Sequence, residues 1–275
     1  MKKTDELLKL SIFIICKNEA HIIEETLSQA AKLADEIILV DSGSTDATVE
    51  IAKPYVSKIY TQEWLGYAKQ KNYALSLCSH KWVLSLDADE VLSDALIAEI
   101  KSIFHSGKHK SRLAFRLPRL LFINRKPIHY GGFYPDYQLR LFQKAFGRFQ
   151  DLPVHESVEI WDEQRARHIT TISFMEKFKA SLGLNFRELP ITDLNNYIKH
   201  FSYSSVAELE TAFIRYARLS NKKSPSPIRI LKALYAFIYK YFIRLGFLDG
   251  LIGLRLAFIN AHYTYLKYSD TKSLS

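Results

Sequence analysis

The first hundred residues alternate between short apolar runs rich in β-branched residues and segments in which apolar side chains recur at helical spacing. The runs predict strands at 9–15, 36–41, 58–61 and 81–87, and the intervening segments predict helices at 19–34, 44–55, 66–78 and 93–107. Strands that are apolar along their whole length are buried on both faces, which is typical of a parallel sheet covered by helices. We therefore expect an α/β fold with a doubly wound, nucleotide-binding sheet and a ligand at the carboxyl ends of its strands.

The pattern changes after Gly107. Residues 112–161 are dense in aromatic residues and arginines and predict a mixed region of strands and loops. A helix is predicted over 204–223, and 228–268 predict two helices broken near Gly246–Gly253. A C-terminal helical extension therefore follows the sheet region.

The composition favours a folded protein with acidic partners. A chain of 275 residues with 48% hydrophobic residues can bury one large core, with or without an appendage. Its net charge of +9 favours nucleotide phosphates, nucleic acid or anionic lipid as partners. Cys16 and Cys78 fall in predicted buried positions and have no zinc-site spacing, so we interpret them as small apolar residues of a reducing cytosol. The N-terminus lacks a small-residue cleavage site and is interpreted as a lead-in to the first strand.

Acidic residues follow three of the predicted strands, in "CKNE" (16–19), "VDSGSTDAT" (40–48) and "LDADE" (86–90). The dinucleotide fingerprint and the P-loop are both absent, so a nucleotide would have to be bound in another way. Asp87, Asp89 and Glu90 repel one another, and a bound cation would offset that cost. Carboxylates in an Asp-x-Asp spacing suit a hard cation, Mg²⁺ or Mn²⁺, which can bridge a diphosphate.

These segments together resemble a known family. The stretch "SIFIICKNEAHIIEETLSQAAKLADEIILVDSGSTDAT", then "GYAKQKNYAL" and "WVLSLDADE", are similar to the N-terminal domain of family-two glycosyltransferases of the GT-A fold. The stretches "GGFYPDYQLRLFQKAFGRFQDLPVHESVE" and "GFLDGLIGLRLAFINAHYTYLKYS" resemble bacterial enzymes that add a β-1,4-glucose to the inner heptose of lipopolysaccharide core. The resemblance implies an inverting, metal-dependent hexosyltransferase that uses a UDP-sugar, with UDP-glucose the expected donor.

The resemblance also implies roles for matching positions. Glu19 and Asp41 would contact the nucleoside, although Asp41 also fits a turn acid that bonds its own backbone. Lys71 would reach the diphosphate, with Lys69 as the alternative, and Asp87 would lie near the ribose and the metal.

Further roles follow from the same resemblance. Asp89 would bind the metal directly, and His200 would add a late histidine ligand. Arg140 would bind the diphosphate or an acceptor phosphate. Glu156, in "GRFQDLPVHE", is the expected general base, where the family usually has an aspartate, and Asp136, in "YPD", is the alternative.

We expect three parts of the chain: a nucleotide-sugar-binding half at 1–110, an acceptor and catalytic part of the same domain at 111–223, and basic aromatic helices at 224–275. The last part has no uncharged apolar stretch of the roughly 18 residues that a spanning helix needs. Its basic residues and wide apolar face predict attachment to the anionic cytoplasmic face of the inner membrane, near a lipid-anchored saccharide acceptor. These helices could equally complete the fold or form a dimer interface.

Two other functions fit parts of the sequence. A nucleic-acid-binding protein would use the basic charge and the aromatic residues, but it would leave the acids at the strand ends unexplained. A catalytically inactive scaffold on the same fold is the other. Within the glycosyltransferase interpretation, another saccharide, a lipid or a protein side chain are alternative acceptors. The sequence leaves the donor, the acceptor, the choice between Glu156 and Asp136, and the oligomeric state open.

Overall fold

The computed structural model describes residues 9–150, 157–162, 167–169, 190–218 and 224–269. These residues form two compact units. The first comprises the described residues within Met1–Pro118 and Tyr137–Ile198, and the second comprises those within Arg119–Asp136 and Lys199–Ser275.

The elements follow one another in the order that the alternation predicts. Up to residue 105 they are β1 (Leu10–Cys16), α1 (Ile23–Ala31), β2 (Glu36–Asp41), α2 (Thr48–Ala52), β3 (Lys58–Thr61), α3 (Tyr67–Leu77), β4 (Trp82–Asp87), β5 (Glu90–Leu92) and α4 (Asp94–His105). A short 3₁₀ helix (Lys108–Ser111) leads to β6 (Ala114–Ile123), β7 (Lys126–Pro127), β8 (Asp136–Gln143), β9 (Gly147–Phe149), β10 (Val158–Asp162), β11 (Arg167–Ile169), β12 (Ile191–Asp193) and β13 (Ile198–Tyr203). The last described elements are α5 (Val206–Arg218), α6 (Ser226–Ile238), a π-helical turn (Tyr239–Ile243), a 3₁₀ turn (Gly246–Asp249) and α7 (Gly250–Lys267).

The first unit is built on a mixed sheet whose strands run in the order β3-β2-β1-β4-β8-β6. The pairs β2–β3, β1–β2 and β1–β4 are parallel, which confirms the predicted parallel sheet, and β8 then joins β4 in antiparallel orientation. β12 pairs with the start of β6, and β9, β10 and β11 form a small antiparallel sheet. The mixed region predicted after the first half is therefore present.

β1 shows why the predicted strands are apolar along their whole length. Ile12 and Ile14 belong to one buried cluster with residues of α1 and α4, whereas Phe13 and Ile15 belong to a second cluster with residues of α3. Successive side chains of a strand point to opposite faces of the sheet. Since both faces are covered by helices, every residue of β1 is buried.

The start of a helix agrees with the prediction in α4 but not in α2, where the residues before the helix bind a neighbouring loop. α4 begins as expected, because the Ser93 hydroxyl accepts a hydrogen bond from the Leu96 amide at 3.2 Å. α2 does not: the sequence predicts it from Ser44, but neither Ser44 nor Thr45 caps it, and the predicted start is wrong. The helix starts only at Thr48, because Ser44 instead bonds Asp41 and accepts the Asn18 amide.

The second unit has its own core and contains the C-terminal helices. Buried apolar residues from β6, the segment after β7, α5 and α7 form this core: Ile123, Ile128, Leu209, Leu256 and Ile259. The predicted break in the C-terminal helices is confirmed at Leu245, whose positive φ of 56° separates the π turn from the 3₁₀ turn. Among the described helices, none combines the length and low polarity needed to span a bilayer.

Candidate active site

The register of the sheet brings the predicted acids to one edge. Cys16 pairs with Asp41, and Ile15 pairs with Asp87, so β1, β2 and β4 end side by side. Glu19 lies in the loop that follows β1. Acids that are tens of residues apart in the chain therefore share the carboxyl edge of the parallel strands, where doubly wound folds bind ligands.

The loops that follow β1 and β2 are bonded to each other. The Asn18 amide donates to the Ser44 hydroxyl at 2.9 Å, and the Thr45 amide donates to the Asn18 side-chain oxygen at 2.8 Å. The Glu19 amide donates to the Thr48 hydroxyl at 2.7 Å. Asn18 has a φ of +58°, a conformation in which asparagine is tolerated better than most residues. These bonds fix the direction in which Glu19 leaves the sheet.

Asp41 is buried and holds the turn after β2. One carboxylate oxygen accepts the amides of Gly43 and Ser44, each at 3.0 Å, and the other accepts the Ser44 hydroxyl. The Cys16 thiol lies against the same carboxylate, and burial together with the charge of Asp41 raises the pKa of Cys16 far above its usual range. The alternative interpretation of Asp41 as a turn acid thus describes its contacts here, and its nucleoside contact stays a prediction.

Asp87 and Glu90 are neutralised inside the protein. The Lys71 ammonium donates to one oxygen of Asp87 at 2.7 Å, and Arg140 Nη2 donates to the other at 2.6 Å. The same Arg140 nitrogen donates to Glu90 Oε1 at 2.6 Å. Glu90 also accepts the backbone amide of Asp87 at 3.1 Å. We call Lys71, Asp87, Glu90 and Arg140 the charge quartet.

The charges of the charge quartet are stabilised mainly by one another and not by water. The side chains of Lys71 and Glu90 are 2% and 0% exposed. Burial alone would raise the pKa of Asp87, but the positive charges of Arg140 and Lys71 outweigh it and hold that pKa well below its usual range. Burial would likewise lower the pKa of Arg140, and Asp87 and Glu90 raise it instead. Arg140 Nε is buried and has no hydrogen-bond partner among the described residues.

Asp89 lies outside the charge quartet, in the turn between β4 and β5. Its charge acts on Glu19: burial first, then the negative charges of Asp89 and Asp46, raise the pKa of Glu19 to about 7. The negative charges of Asp46 and Asp89 therefore act on Glu19 at this edge of the sheet. No group of three or more His, Cys, Asp or Glu side chains within the described residues is arranged to hold a metal ion.

The remaining predicted site residues lie elsewhere. Asp136 belongs to the second unit, where its carboxylate accepts hydrogen bonds from Arg119 at 3.0 and 2.7 Å. His200 belongs to the same unit and contacts the Ser202 hydroxyl through its ring nitrogen. Glu156 lies outside the described residues. The roles of these three residues stay predictions.

Sequence reasoning missed the part that Glu90 takes. The motif "LDADE" showed three acids, but it carried no sign that Glu90 is fully buried and shares a cation with Asp87. Arg140 lies fifty residues further along the chain, in β8, so no local pattern indicates the pairing. β5, which contains Glu90, is only three residues long and is buried along its whole length, so it produces no recognisable pattern in the sequence.

Comparison with known proteins identifies the family. The model of "Glycosyl transferase family 2" matches residues 11–150, slightly more than half of the chain. The matched range contains every predicted site residue except Glu156 and His200. The chain belongs to glycosyl transferase family 2, which confirms the predicted fold class and the prediction of a glycosyltransferase.

Individual relatives agree with this family. An uncharacterized glycosyltransferase of Rickettsia bellii (strain RML369-C) is 33% identical over 278 residues, which cover 97% of this chain and 87% of the relative. The lipopolysaccharide core biosynthesis glycosyltransferase LpsC of Rhizobium meliloti (strain 1021) is 32% identical over 163 residues, 55% of this chain and 57% of LpsC. The structure of S. aureus TarS 1-349 in complex with UDP-GlcNAc is similar at 18% identity and a TM-score of 0.44, covering 92% of this chain and 79% of that one.

We expect the charge quartet to make a large contribution to stability. Replacement of Arg140 by Met removes the guanidinium that Asp87 and Glu90 share, so the buried Glu90 loses this charged partner while Asp87 keeps Lys71. The free energy of unfolding should fall by about 3–5 kcal/mol in urea titrations. Arg148→Met, at an exposed position of β9, is the matched control and should change it by less than about 0.5 kcal/mol. A loss for Arg140→Met no larger than that of the control would contradict this account.

The raised pKa of Glu19 predicts a pH-dependent stability. Folding raises this pKa from 4.5 to about 7, so ionised Glu19 opposes folding and stability falls as the pH rises through this window. Glu19→Gln removes the charge and should raise the free energy of unfolding by about 1–2 kcal/mol at pH 8, after allowance for partial exposure, with half that gain or less at pH 5. Urea titrations at both pH values measure this. The control Glu63→Gln, at an exposed position, should change the free energy of unfolding equally at both pH values. A gain for Glu19→Gln that does not increase with pH would contradict the interpretation.

Proposed function

We propose that this glycosyltransferase inverts the anomeric centre while moving glucose from UDP-glucose onto an inner-core heptose of lipopolysaccharide, with Mg²⁺ or Mn²⁺ bound. The observation that carries the proposal is the edge formed by Glu19, Asp41, Asp87 and Asp89, three strand ends of the family-matched region brought side by side. At that edge Asp87 is held between Lys71 and Arg140, and burial together with the negative charges of Asp89 and Asp46 raises the pKa of Glu19.

The residues at this edge fit a divalent cation. Burial first, and then the negative charges of Asp89 and Asp46, raise the pKa of Glu19, and a bound cation would offset the repulsion between these carboxylates. The described residues supply few protein ligands, and Mg²⁺ commonly takes one or two carboxylates and fills its other positions with water and phosphate oxygens. Asp89 would hold the ion, with Asp87 beside it. When bound, the ion supplies positive charge that stabilises a departing nucleoside diphosphate.

The chain's own residues then have separate tasks. Glu19 and Asp41 bind the nucleoside from loops that are bonded to each other, so that the donor meets a preformed surface. Lys71 and Arg140 fix the carboxylate of Asp87 from both sides and keep it ionised. In this proposal they act on the donor through Asp87 and through their positive charge, since both side chains are buried.

The acceptor hydroxyl needs a base that removes its proton as the sugar carbon is attacked from the face opposite the leaving group. We propose Glu156 for this task, with Asp136 as the alternative. Asp136 is bonded to Arg119, so as a base it would share its oxygens with that guanidinium. His200 is proposed as a further metal ligand, on the resemblance alone.

The acceptor assignment has separate support. It rests on the similarity to LpsC, whose name includes lipopolysaccharide core biosynthesis, and on the resemblance of the later segments of the chain. We propose that residues 1–110 bind the donor, that 111–223 bind the acceptor and supply the base, and that 224–275 attach the enzyme to a membrane. Another saccharide, a lipid or a protein acceptor would leave the donor half of this proposal unchanged.

Donor and metal are tested together. Thermal unfolding against a panel of UDP- and GDP-sugars should show preferential stabilisation by UDP-glucose, and only when Mg²⁺ or Mn²⁺ is present. Asp89→Asn should abolish the metal-dependent part and lower UDP release on a heptose-containing acceptor at least about 100-fold, because charge on the leaving group goes uncompensated. Asp94→Asn, an exposed aspartate at the start of α4, is the matched control and should stay within about twofold of wild type.

Each outcome bears on one part of the proposal. Stabilisation by a different sugar nucleotide would replace glucose and leave the metal site standing. An Asp89→Asn enzyme as active as the control would remove the metal site. Glu156→Gln and Asp136→Asn in the same assay identify the base, because only the true base should lose turnover while donor binding persists.

The second unit supports the proposed membrane attachment, at the inner face of the inner membrane. Its C-terminal helices and turns expose large apolar side chains, among them Leu231, Tyr235, Ile243 and Leu251, the last 81% exposed. Residues 228–268 contain six lysines and arginines and a single acid, Asp249. An apolar face surrounded by positive charge matches an anionic lipid surface.

Sedimentation with vesicles tests this attachment. The full chain should sediment with phosphatidylglycerol-containing vesicles and much less with phosphatidylcholine vesicles, because both the apolar and the electrostatic terms are needed. Leu251→Glu together with Ile243→Glu should abolish sedimentation. The control Thr61→Glu, at an exposed position of β3 in the first unit, should not change it. Unchanged sedimentation of the double variant, or a monomer–dimer shift caused by it in light scattering, would point to a different occupant of this face.

A further inference from the structure

A pair of basic side chains meets a glycine loop within the second unit. Gly131 and Gly132 follow β7, and Lys240 and Arg244 lie in and just after the π-helical turn. A Cβ atom placed on Gly132 would lie 3.1 Å from Arg244 Nε and 3.2 Å from Lys240 Nζ. The Arg244 Nε and Lys240 Nζ atoms therefore both lie close to one point. The distance between these two nitrogens is at most about 6.3 Å.

The backbone holds this arrangement in place. The Arg244 amide donates to the Tyr239 carbonyl at 2.8 Å, and the Gly131 amide donates to the Arg244 carbonyl at 2.9 Å. Gly131 and Gly132 both have a positive φ, of 66° and 74°, which side chains other than glycine rarely adopt. On the other side, a Cβ on Gly246 would lie 2.7 Å from the Lys240 carbonyl oxygen. Gly131, Gly132 and Gly246 thus allow the loop and the turn to pack closely, and this packing brings Lys240 and Arg244 near each other.

Within the described part of the chain, neither cation has an acidic partner. No ion pair joins Lys240 or Arg244 to a carboxylate of the described residues. The acid of this region, Asp249, accepts the backbone amides of His129 and Tyr130 at 3.3 and 2.9 Å. Burial, and then the positive charge of Arg244, lower the pKa of Lys240.

The tightly packed backbone brings two positive charges together, and their repulsion is unfavourable. A bound anion would reduce this repulsion. The Lys240 ammonium lies 4.9 Å from the centre of the Phe133 ring, which orients it without neutralising it. Arg244 is exposed, so a ligand can reach the pair from solvent. A guanidinium offers several donors in a fixed fork that suits phosphate oxygens, and an ammonium adds a compact charge.

We propose that Lys240 and Arg244, set against the Gly131–Gly132 loop, form a binding site for a phosphate group. The site lies within the second unit and takes the phosphate of a lipid headgroup or a free phosphate. It does not depend on the donor chemistry proposed above. It differs from the general attraction of the basic helices to an anionic surface, because it assigns binding to one pair of side chains.

Isothermal titration of the full chain tests the site with two probes: inorganic phosphate, and dihexanoyl phosphatidylglycerol kept below its micellar concentration. Lys240→Gln combined with Arg244→Gln should weaken binding of at least one probe by about tenfold or more. The matched control combines Arg255→Gln with Lys267→Gln, which removes the same charge from α7 and should leave binding within about twofold. Neither variant changes the first unit, so phosphate bound at the donor edge contributes equally to all three titrations.

The probes separate the two sources. Binding of phosphatidylglycerol but not of inorganic phosphate identifies a lipid headgroup, and binding of inorganic phosphate with equal affinity identifies the phosphate itself as sufficient. In phosphate-free buffer Lys240→Gln should unfold at the wild-type temperature or above it, since the change relieves repulsion. The proposal is overturned if neither probe binds, if the Lys240 and Arg244 variant binds as wild type does, or if the control loses as much affinity.

Discussion

The first unit depends on the neutralisation of Asp87 and Glu90 by Lys71 and Arg140. Four charges from α3, β4, β5 and β8 meet here. Lys71, Glu90 and Arg140 are buried and Asp87 is partly exposed, and the buried charges are tolerated because each has an oppositely charged partner. The contact joins the parallel half of the sheet to the antiparallel β8. It also fixes the end of β4, from which the chain turns through Asp89. The geometry of the candidate active site therefore follows from a structural charge balance.

This balance changes the meaning of the acidic motif after β4. Three carboxylates in five residues suggest one cation, yet two of them are satisfied by side chains of the protein. The third, Asp89, acts on Glu19, whose pKa is raised by burial and then by the charges of Asp89 and Asp46. We propose that an ion bringing its own phosphate and water ligands binds beside Asp89, and that the nucleotide sugar binds at the same edge of the sheet.

In the second unit, it is positive charges that lie close together. Its glycines allow the loop at 131–132 and the turn at 240–246 to approach closely, and the approach leaves two cations together rather than an acid and a base. The nearby helices expose apolar side chains that a water-facing helix would usually bury or replace. We propose partners for both features, and the residues that form them are distinct from the unit's buried core at Ile123, Leu209 and Leu256.

Local sequence patterns were enough to predict the order of the elements, the parallel strands and the positions of the acids at strand ends. Apolar runs and helical spacing are local signals, and parallel strands must end at a common edge. These patterns did not determine that α2 begins four residues after Ser44, that Glu90 shares Arg140 with Asp87, or that Lys240 meets Gly132. These features depend on tertiary packing. A hydrogen bond or a charge contact between distant segments depends on how the chain packs, and it produces no periodic pattern in the sequence of either segment.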